Sequence, residues 1–323
     1  MPPLSQSELE RLCRAAEPSV LLGFIGDLYA ERGWTVAVTD ASDGVITLER
    51  DGVNANSQMA RDPAYYLQTA QKLPTSPSSV DIGKTPRHFF RHYFNYFLAT
   101  GGLGFLFPQY KQKALFPDTL RLYPTFHEVV GDSLRWGCRL LGSKKTNQQA
   151  AQHINWLKEN KLAYFLVPLQ LSIDTQITCH SPFAGMQDFI AHVLENFAYN
   201  APENTMLIFK NHPLDPNVRS NRMVTEMEAF KQGIFDRIIC LDGGSLPEML
   251  ENSQGTIVNN STTGLNALHH NIPCITLGDA IYDMPGLTHQ KGLDKFWHQP
   301  ESPDKELYRS FRKVHMHKTQ ING

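Results

Sequence analysis

The chain is short of cysteine, of long apolar runs and of net charge, and each shortage removes a class of function. Five cysteines occur in 323 residues: Cys13, Cys138, Cys179, Cys240 and Cys274. They are odd in number, scattered and without CxxC spacing, so neither a disulfide framework nor a zinc site is indicated. Cys240 and Cys274 fall inside apolar runs and read as buried thiols. No run approaches the roughly 20 apolar residues of a membrane-spanning helix. The opening "MPPLSQSELERL" does not read as a signal peptide, so a cytoplasmic protein is expected. A formal charge of -2 gives no global attraction for nucleic acid, and none is expected as a partner. No internal repeat is present.

What remains is an ordinary globular composition, 41% apolar and 19% charged, with enough chain for two cores. The clearest pattern lies between residues 160 and 280. Five short apolar runs alternate with four helical stretches. The runs are "AYFLVPL" (Ala163–Leu169), "MLIFK" (Met206–Lys210), "RIICLD" (Arg237–Asp242), "TIVNN" (Thr256–Asn260) and "PCITLG" (Pro273–Gly278). Between them, Gly185–Phe197 places Phe189, Val193 and Phe197 on one helical face. Asn221–Gln232, Ser245–Ser253 and Thr263–Asn271 supply the other helices. Near-continuous apolar strands joined by helices predict a parallel, Rossmann-like α/β sheet with right-handed crossovers.

The N-terminal half carries less pattern. Leu4–Ala16 and Leu21–Arg32 read as helices, and "TVAVTD" and "GVITLER" as two strands around "ASDG". Lys72–Pro86, rich in Pro, Ser and Gly, reads as a loop or linker. An aromatic belt from Phe89 to Phe107 follows, with Arg87, Arg91, Lys111 and Lys113 around it. It suits a core, or a surface resting on an anionic bilayer. The basic stretch Tyr308–Lys318 reads as a solvated helix face.

Ligands of open parallel sheets bind at the carboxyl ends of strands, and here those ends are polar. After the first strand come Gln170, Asp174 and Gln176: a carboxylate able to act as nucleophile or base, with amides suited to sugar hydroxyls. The same residues also suit a polar turn capped by Asp174. The second strand ends in Lys210, Asn211, His212 and Pro213, a cation and a titratable imidazole on the rim. "NNSTTG" (Asn259–Gly264) joins the fourth strand to a helix that Ser261 or Thr262 can cap, and its free N–H groups attract anions. Glu248 admits two readings. With Ser245 it forms a capping-box pattern, or its carboxylate grips ribose hydroxyls.

These motifs resemble a known family. "NSTTGLNALHHNIPCITLGDAIYDMPGLTHQKGLDKFW" (Asn260–Trp297) is similar to the signature of bacterial capsular polysaccharide biosynthesis/export proteins. "KNHPLDP" and "PLQLSIDTQI" occur in matching order. The family includes the β-Kdo transferases of capsules exported by ABC transporters. Residues 1–80 lack the Gly-rich first strand and loop expected of its N-terminal domain.

The resemblance implies a GT-B-like α/β glycosyltransferase, two Rossmann-like domains facing a central cleft. Residues 1–158 would form the acceptor-side domain, 159–300 the nucleotide-sugar-binding domain and 301–323 a helical tail. The donor implied is CMP-β-Kdo and the acceptor a lipid or Kdo linker, at or near the inner membrane and the capsule export machinery. Asp174 is implied as the catalytic carboxylate and His212 as the group that assists departure of CMP. Gln170, Gln176, Lys210, Asn211, Pro213, Glu248, Asn260, Ser261, Thr262, Thr263 and Gly264 are implied to hold the nucleotide sugar. No metal or cofactor is implied, and no Asp-x-Asp motif is evident. Two alternatives stand beside this reading: transfer of another CMP-sugar such as sialic acid, and a non-catalytic capsule assembly or export partner.

Overall fold

The computed structural model describes residues 35–40, 45–49, 57–74, 144–171, 177, 180–212, 215 and 218–322. The expected helices at Leu4–Ala16 and Leu21–Arg32 and the aromatic belt lie outside them. The chain divides into two compact units. One comprises Met1–Gln58, Leu73–Leu134 and His315–Gly323, the other Met59–Lys72 and Arg135–Val314.

In the first unit, β1 (Thr35–Asp40) and β2 (Val45–Glu49) pair antiparallel, from Thr35 against Glu49 to Val38 against Ile46. The β-branched residues Thr35, Val36, Val38, Thr39, Val45, Ile46 and Thr47 favour extended pairing. The C-terminal strand β8 (Gln320–Asn322) adds antiparallel to β2, giving the order β1-β2-β8. Most of residues 1–158, where the sequence expectation places the acceptor-side domain, lies outside the described residues.

The second unit carries the sequence's alternating pattern. Its strands are β3 (Ala163–Pro168), β4 (Thr205–Lys210), β5 (Ile238–Leu241), β6 (Gly255–Val258) and β7 (Cys274–Thr276). All pair parallel, in the order β5-β4-β3-β6-β7. Six helices accompany this sheet: α2 (residues 144–159), α3 (Met186–Asn200), α4 (Val218–Lys231), α5 (Leu246–Glu251), α6 (Thr263–His269) and α7 (Leu293–Phe296). Two more frame the unit in sequence, α1 (Pro63–Lys72) before α2 and α8 (Lys305–Lys318) after α7.

The core follows from the apolar runs. Phe165 and Val167 of β3 and Leu207 and Phe209 of β4 are buried against Phe189, Val193 and Phe197 of α3. Phe296 and Trp297, near the end of the long C-terminal motif, close this core. The Trp297 ring meets Phe165 at 5.0 Å and Phe197 at 5.2 Å, both near perpendicular. Edge-to-face contacts of this kind add to area burial. The indole N–H is satisfied by Asn196 Oδ1 at 2.7 Å.

Both expected thiols are free cysteines. Cys274 is fully buried, while Cys240 is only half-buried and its thiol is pushed up to about 11, chiefly by burial. Tyr66 of α1 is buried, and its ring packs on Phe311 of α8 at 5.0 Å. Among the described residues, no helix is long and apolar enough to cross a membrane.

Candidate functional site

The sheet's strand order reverses direction between β3 and β6. The crossovers on one side of this point run β3→β4→β5 and on the other β6→β7, so the connections diverge and leave a crevice at the carboxyl ends. Gln170 stands at the end of β3 and Asn260 just past β6. Gln170 Nε2 donates to Asn260 Oδ1 at 3.0 Å, and Asn260 N–H donates back to Gln170 Oε1 at 3.4 Å. Asn260 Nδ2 also donates to the His180 carbonyl at 3.0 Å. Two residues 90 apart in sequence are thereby locked across the switch point.

Next to β3, β4 delivers Lys210, Asn211 and His212. The β3 chain end is tied to this strand by the Leu169 N–H, which donates to the Lys210 carbonyl at 2.9 Å. Lys210 is half-buried. Burial holds its ammonium below the ordinary lysine range, and the charge of neighbouring Asp242 offsets part of that. Asn211 Nδ2 donates to Asp242 Oδ1 at 2.7 Å, and Arg222 Nη2 donates to Asp242 Oδ2 at 2.8 Å. His212 is half-buried, and its carbonyl accepts the Asp215 N–H at 3.1 Å. Asp215 is 0% exposed, and its Oδ2 accepts Asn221 Nδ2 of α4 at 2.8 Å. The lip after β4 is therefore pinned to a helix by a buried carboxylate. Asp174, Gln176 and Pro213 lie outside the described residues.

The Ser/Thr motif sits beside the switch point. Thr262 occupies the N-cap position of α6 but makes no side-chain cap bond. Instead Ser261 Oγ accepts the Thr263 N–H at 3.2 Å and donates to Thr263 Oγ1 at 3.1 Å. The Tyr282 hydroxyl donates to the Ser261 carbonyl. Gly264 is required by a close approach, because a Cβ there would stand 2.6 Å from Tyr282 Cζ.

The capping-box reading of Glu248 is not what forms. Ser245 precedes α5 without a side-chain cap bond, and Glu248 pairs with Lys158 of α2 at 3.3 Å. Glu248 lines a cavity of about 410 Å³ with Asn147, Ala150, Ile154, Gly244 and Met249. Asn147 Oδ1 accepts the Gly244 N–H at 2.7 Å, and Gly244 takes a φ of +93° that favours glycine. The carboxylate thus faces a roomy cleft beside the strand ends, without the reciprocal cap.

The expected site residues consequently fall into three groups. Gln170, Asn260, Ser261, Thr262, Thr263 and Gly264 gather at the switch point. Lys210, Asn211 and His212 stand one strand away, with β3 between, about 10 Å from the end of β6 at ~4.8 Å per strand. Glu248 lies beyond β5 against α2.

Sequence reasoning did not assign roles to Asp215, Asn221, Asp242, Arg222 or Tyr282. The buried carboxylate had one signal, an Asp inside the quoted "KNHPLDP". Asn211 Oδ1 and both amide atoms of Asn259 are buried without a hydrogen-bond partner. Among the described residues, no group of three His, Cys, Asp or Glu side chains is placed to hold a metal ion.

Residues 43–323 match the family model described as capsule polysaccharide biosynthesis protein. The capsule polysaccharide modification protein LipB of Neisseria meningitidis serogroup A is 34% identical, over 86% of this chain and 65% of its own length. The capsule polysaccharide export protein KpsS of Escherichia coli is 32% identical, over 86% of this chain and 68% of its own. This chain thus spans just under two thirds of the meningococcal relative. The solved structure of the β-Kdo 2,7 transferase KpsC of Thermosulfurimonas dismutans aligns with 95% of this chain and 80% of its own. That alignment is at 15% identity with a TM-score of 0.38. The chain belongs to the capsule polysaccharide biosynthesis protein family.

Proposed function

We propose that this chain is a glycosyltransferase that moves Kdo from CMP-β-Kdo onto a lipid or Kdo-linker acceptor in capsule synthesis. The observation that carries the reading is the convergence of motif-bearing loops at the carboxyl ends of β3, β4 and β6, with Gln170 hydrogen-bonded to Asn260 across the switch point. A nucleotide sugar laid along these ends meets amides and hydroxyls at one end and Lys210 and His212 at the other. Lys210 and His212 face the CMP phosphate, and His212 delivers a proton to it as it leaves. Ser261, Thr262 and Thr263 hold the phosphate or the Kdo carboxylate. Glu248, at the cavity beyond β5, takes the ribose hydroxyls.

The chemistry is a double displacement. The Asp174 carboxylate attacks the anomeric carbon of Kdo, and the bond from that carbon to the CMP phosphate oxygen breaks. CMP departs with the electron pair. An acceptor hydroxyl then attacks the same carbon, releases Asp174 and loses its proton, so configuration is retained. The site works on the cytoplasmic side, with the chain peripheral to the inner membrane and near the capsule export machinery.

The test is transfer itself, with CMP-Kdo generated in place. Asp174→Ala and His212→Ala are expected to abolish transfer while leaving thermal melting near that of the wild type. Turnover near wild type in either variant would falsify the residue assignment. Competition between CMP-Kdo and CMP-sialic acid separates the donor alternatives.

The E. coli relative bears the name of an export protein, which supports the second reading of a non-catalytic assembly or export partner. That reading predicts neither transfer nor hydrolysis of any CMP-sugar, with co-purification of transporter components.

A further inference from the structure

Helix α4 exposes an apolar stripe. Met223, Met227 and Phe230 are 56%, 51% and 76% exposed, and their i, i+4, i+7 spacing places them on one face. The opposite face, with Asn221, Thr225 and Ala229, is buried against the protein. Half of the large exposed hydrophobics among the described residues therefore lie along one line on a single helix. Single exposed apolar side chains are ordinary, but a contiguous row is a contact surface.

The charges beside the stripe select its occupant. With Met223 and Phe230 as heptad d positions and Met227 as a, Glu226 falls at g and Lys231 at e. Both side chains are solvent-exposed, 47% and 59%. In a parallel pair of such helices, g of one chain meets the following e of the other. Glu226 then faces Lys231 of the second copy, twice by symmetry. An antiparallel pair would instead set Glu226 against Glu226 and Lys231 against Lys231. A bilayer surface fits less well, because helices that lie on anionic lipid carry a predominantly basic polar face. Here Glu226 and Glu228 both stand near the stripe.

We infer that the α4 stripe pairs with the same stripe of a second copy of this chain, parallel and in register about a two-fold axis. In one protomer Glu226 reaches Arg222 at 3.8 Å and Lys231 reaches Glu228 at 2.6 Å. Exposed pairs of this kind are weak, so both charges can turn to the second copy. α4 has 14 residues and is about 21 Å long, so the contact is small and the dimer dissociates on dilution.

Sedimentation velocity of the full chain over a wide concentration range tests this. The wild type is expected to shift from monomer to dimer as concentration rises. Glu226→Lys and Lys231→Glu each place like charges opposite one another and are expected to hold the chain monomeric. The double variant Glu226→Lys/Lys231→Glu restores the pairing and is expected to dimerise again. Unchanged circular dichroism melts show that these surface variants fold. Met227→Cys is expected to form a disulfide-linked dimer on mild oxidation, beyond any cross-linking of the wild type, since each Met227 faces its own copy. A wild type that stays monomeric throughout overturns the inference. So does a dimer unaffected by either single reversal, or a monomer whose stripe binds vesicles.

Discussion

Gln170 and Asn260 exchange hydrogen bonds across the one place in the parallel sheet where strand order reverses, with Gln170 Nε2 at 3.0 Å from Asn260 Oδ1. Gln170 is buried and Asn260 half-buried, so the Asn260 amide stands in for water at the Gln170 side chain. Asn260→Ala leaves the buried Gln170 amide without this partner, which costs about 1–3 kcal/mol, and Gln170→Ala, which leaves the half-buried Asn260, is expected to cost less. A fall in melting temperature of about 2–4 °C per kcal/mol is expected. Double-mutant analysis of the melts should show less than additive loss. Full additivity would mean the pair does not act as a unit.

The lip after β4 depends on Asp215. Its carboxylate is fully buried and held by Asn221, while its own N–H anchors the His212 carbonyl. Asp215→Ala is expected to lower stability by about 1–3 kcal/mol through loss of the buried hydrogen bond to Asn221. It is also expected to weaken CMP binding by loosening the lip. Asn221→Asp places two carboxylates together and should be worse than Asn221→Ala. Thermal melts with and without CMP distinguish the effects.

Gly264 packs against Tyr282. Gly264→Ala forces a methyl into that ring and is expected to destabilise by about 1–3 kcal/mol, in the range of overpacked cores. Gly264→Ala/Tyr282→Ala should tolerate the added methyl, because the obstructing ring is gone. A Gly264→Ala penalty equal in the two backgrounds, read from denaturant midpoints, would contradict the contact as its cause.

Lys210 is half-buried at the end of β4. Burial lowers its pKa from the ordinary value of 10.5, so the unfolded chain holds this proton more tightly than the folded one. The burden is full below the folded-state pKa and fades as pH rises towards the ordinary value. Lys210→Met is therefore expected to raise the melting temperature at pH 7, with the gain shrinking at alkaline pH. If Lys210 faces the phosphate as proposed, the same change removes a charge-assisted contact worth about 1.5–3 kcal/mol, so a roughly 10–100-fold loss of CMP affinity is expected. A variant that melts lower at pH 7 and binds CMP as well as wild type would contradict both halves.

Much of the second unit was legible because its strands are short apolar runs and its helices separate them. The run Ala163–Leu169 appears as β3 at Ala163–Pro168, and "MLIFK" as β4 at Thr205–Lys210. The switch point was not legible. It depends on β6 pairing with β3 rather than with β5, a choice made by distant packing rather than local pattern. The helix over 144–159 was missed for a related reason: it is largely polar, and only Ala150, Ile154 and Leu157 are buried. Glu248 matched a capping pattern in sequence, yet Lys158, 90 residues earlier, claimed its carboxylate. The Asn211–Asp242–Arg222 cluster likewise joins a strand end, a loop and a helix that no spacing rule connects.

A cytidine nucleotide is proposed to bind at these strand ends. Calorimetric titration of CMP into the wild type, His212→Ala and Asn260→Ala tests it most directly. Saturable binding to the wild type is expected, with loss or strong weakening in both variants. A folded wild type that takes up no CMP, or His212→Ala and Asn260→Ala proteins that bind it as tightly as the wild type, would contradict it.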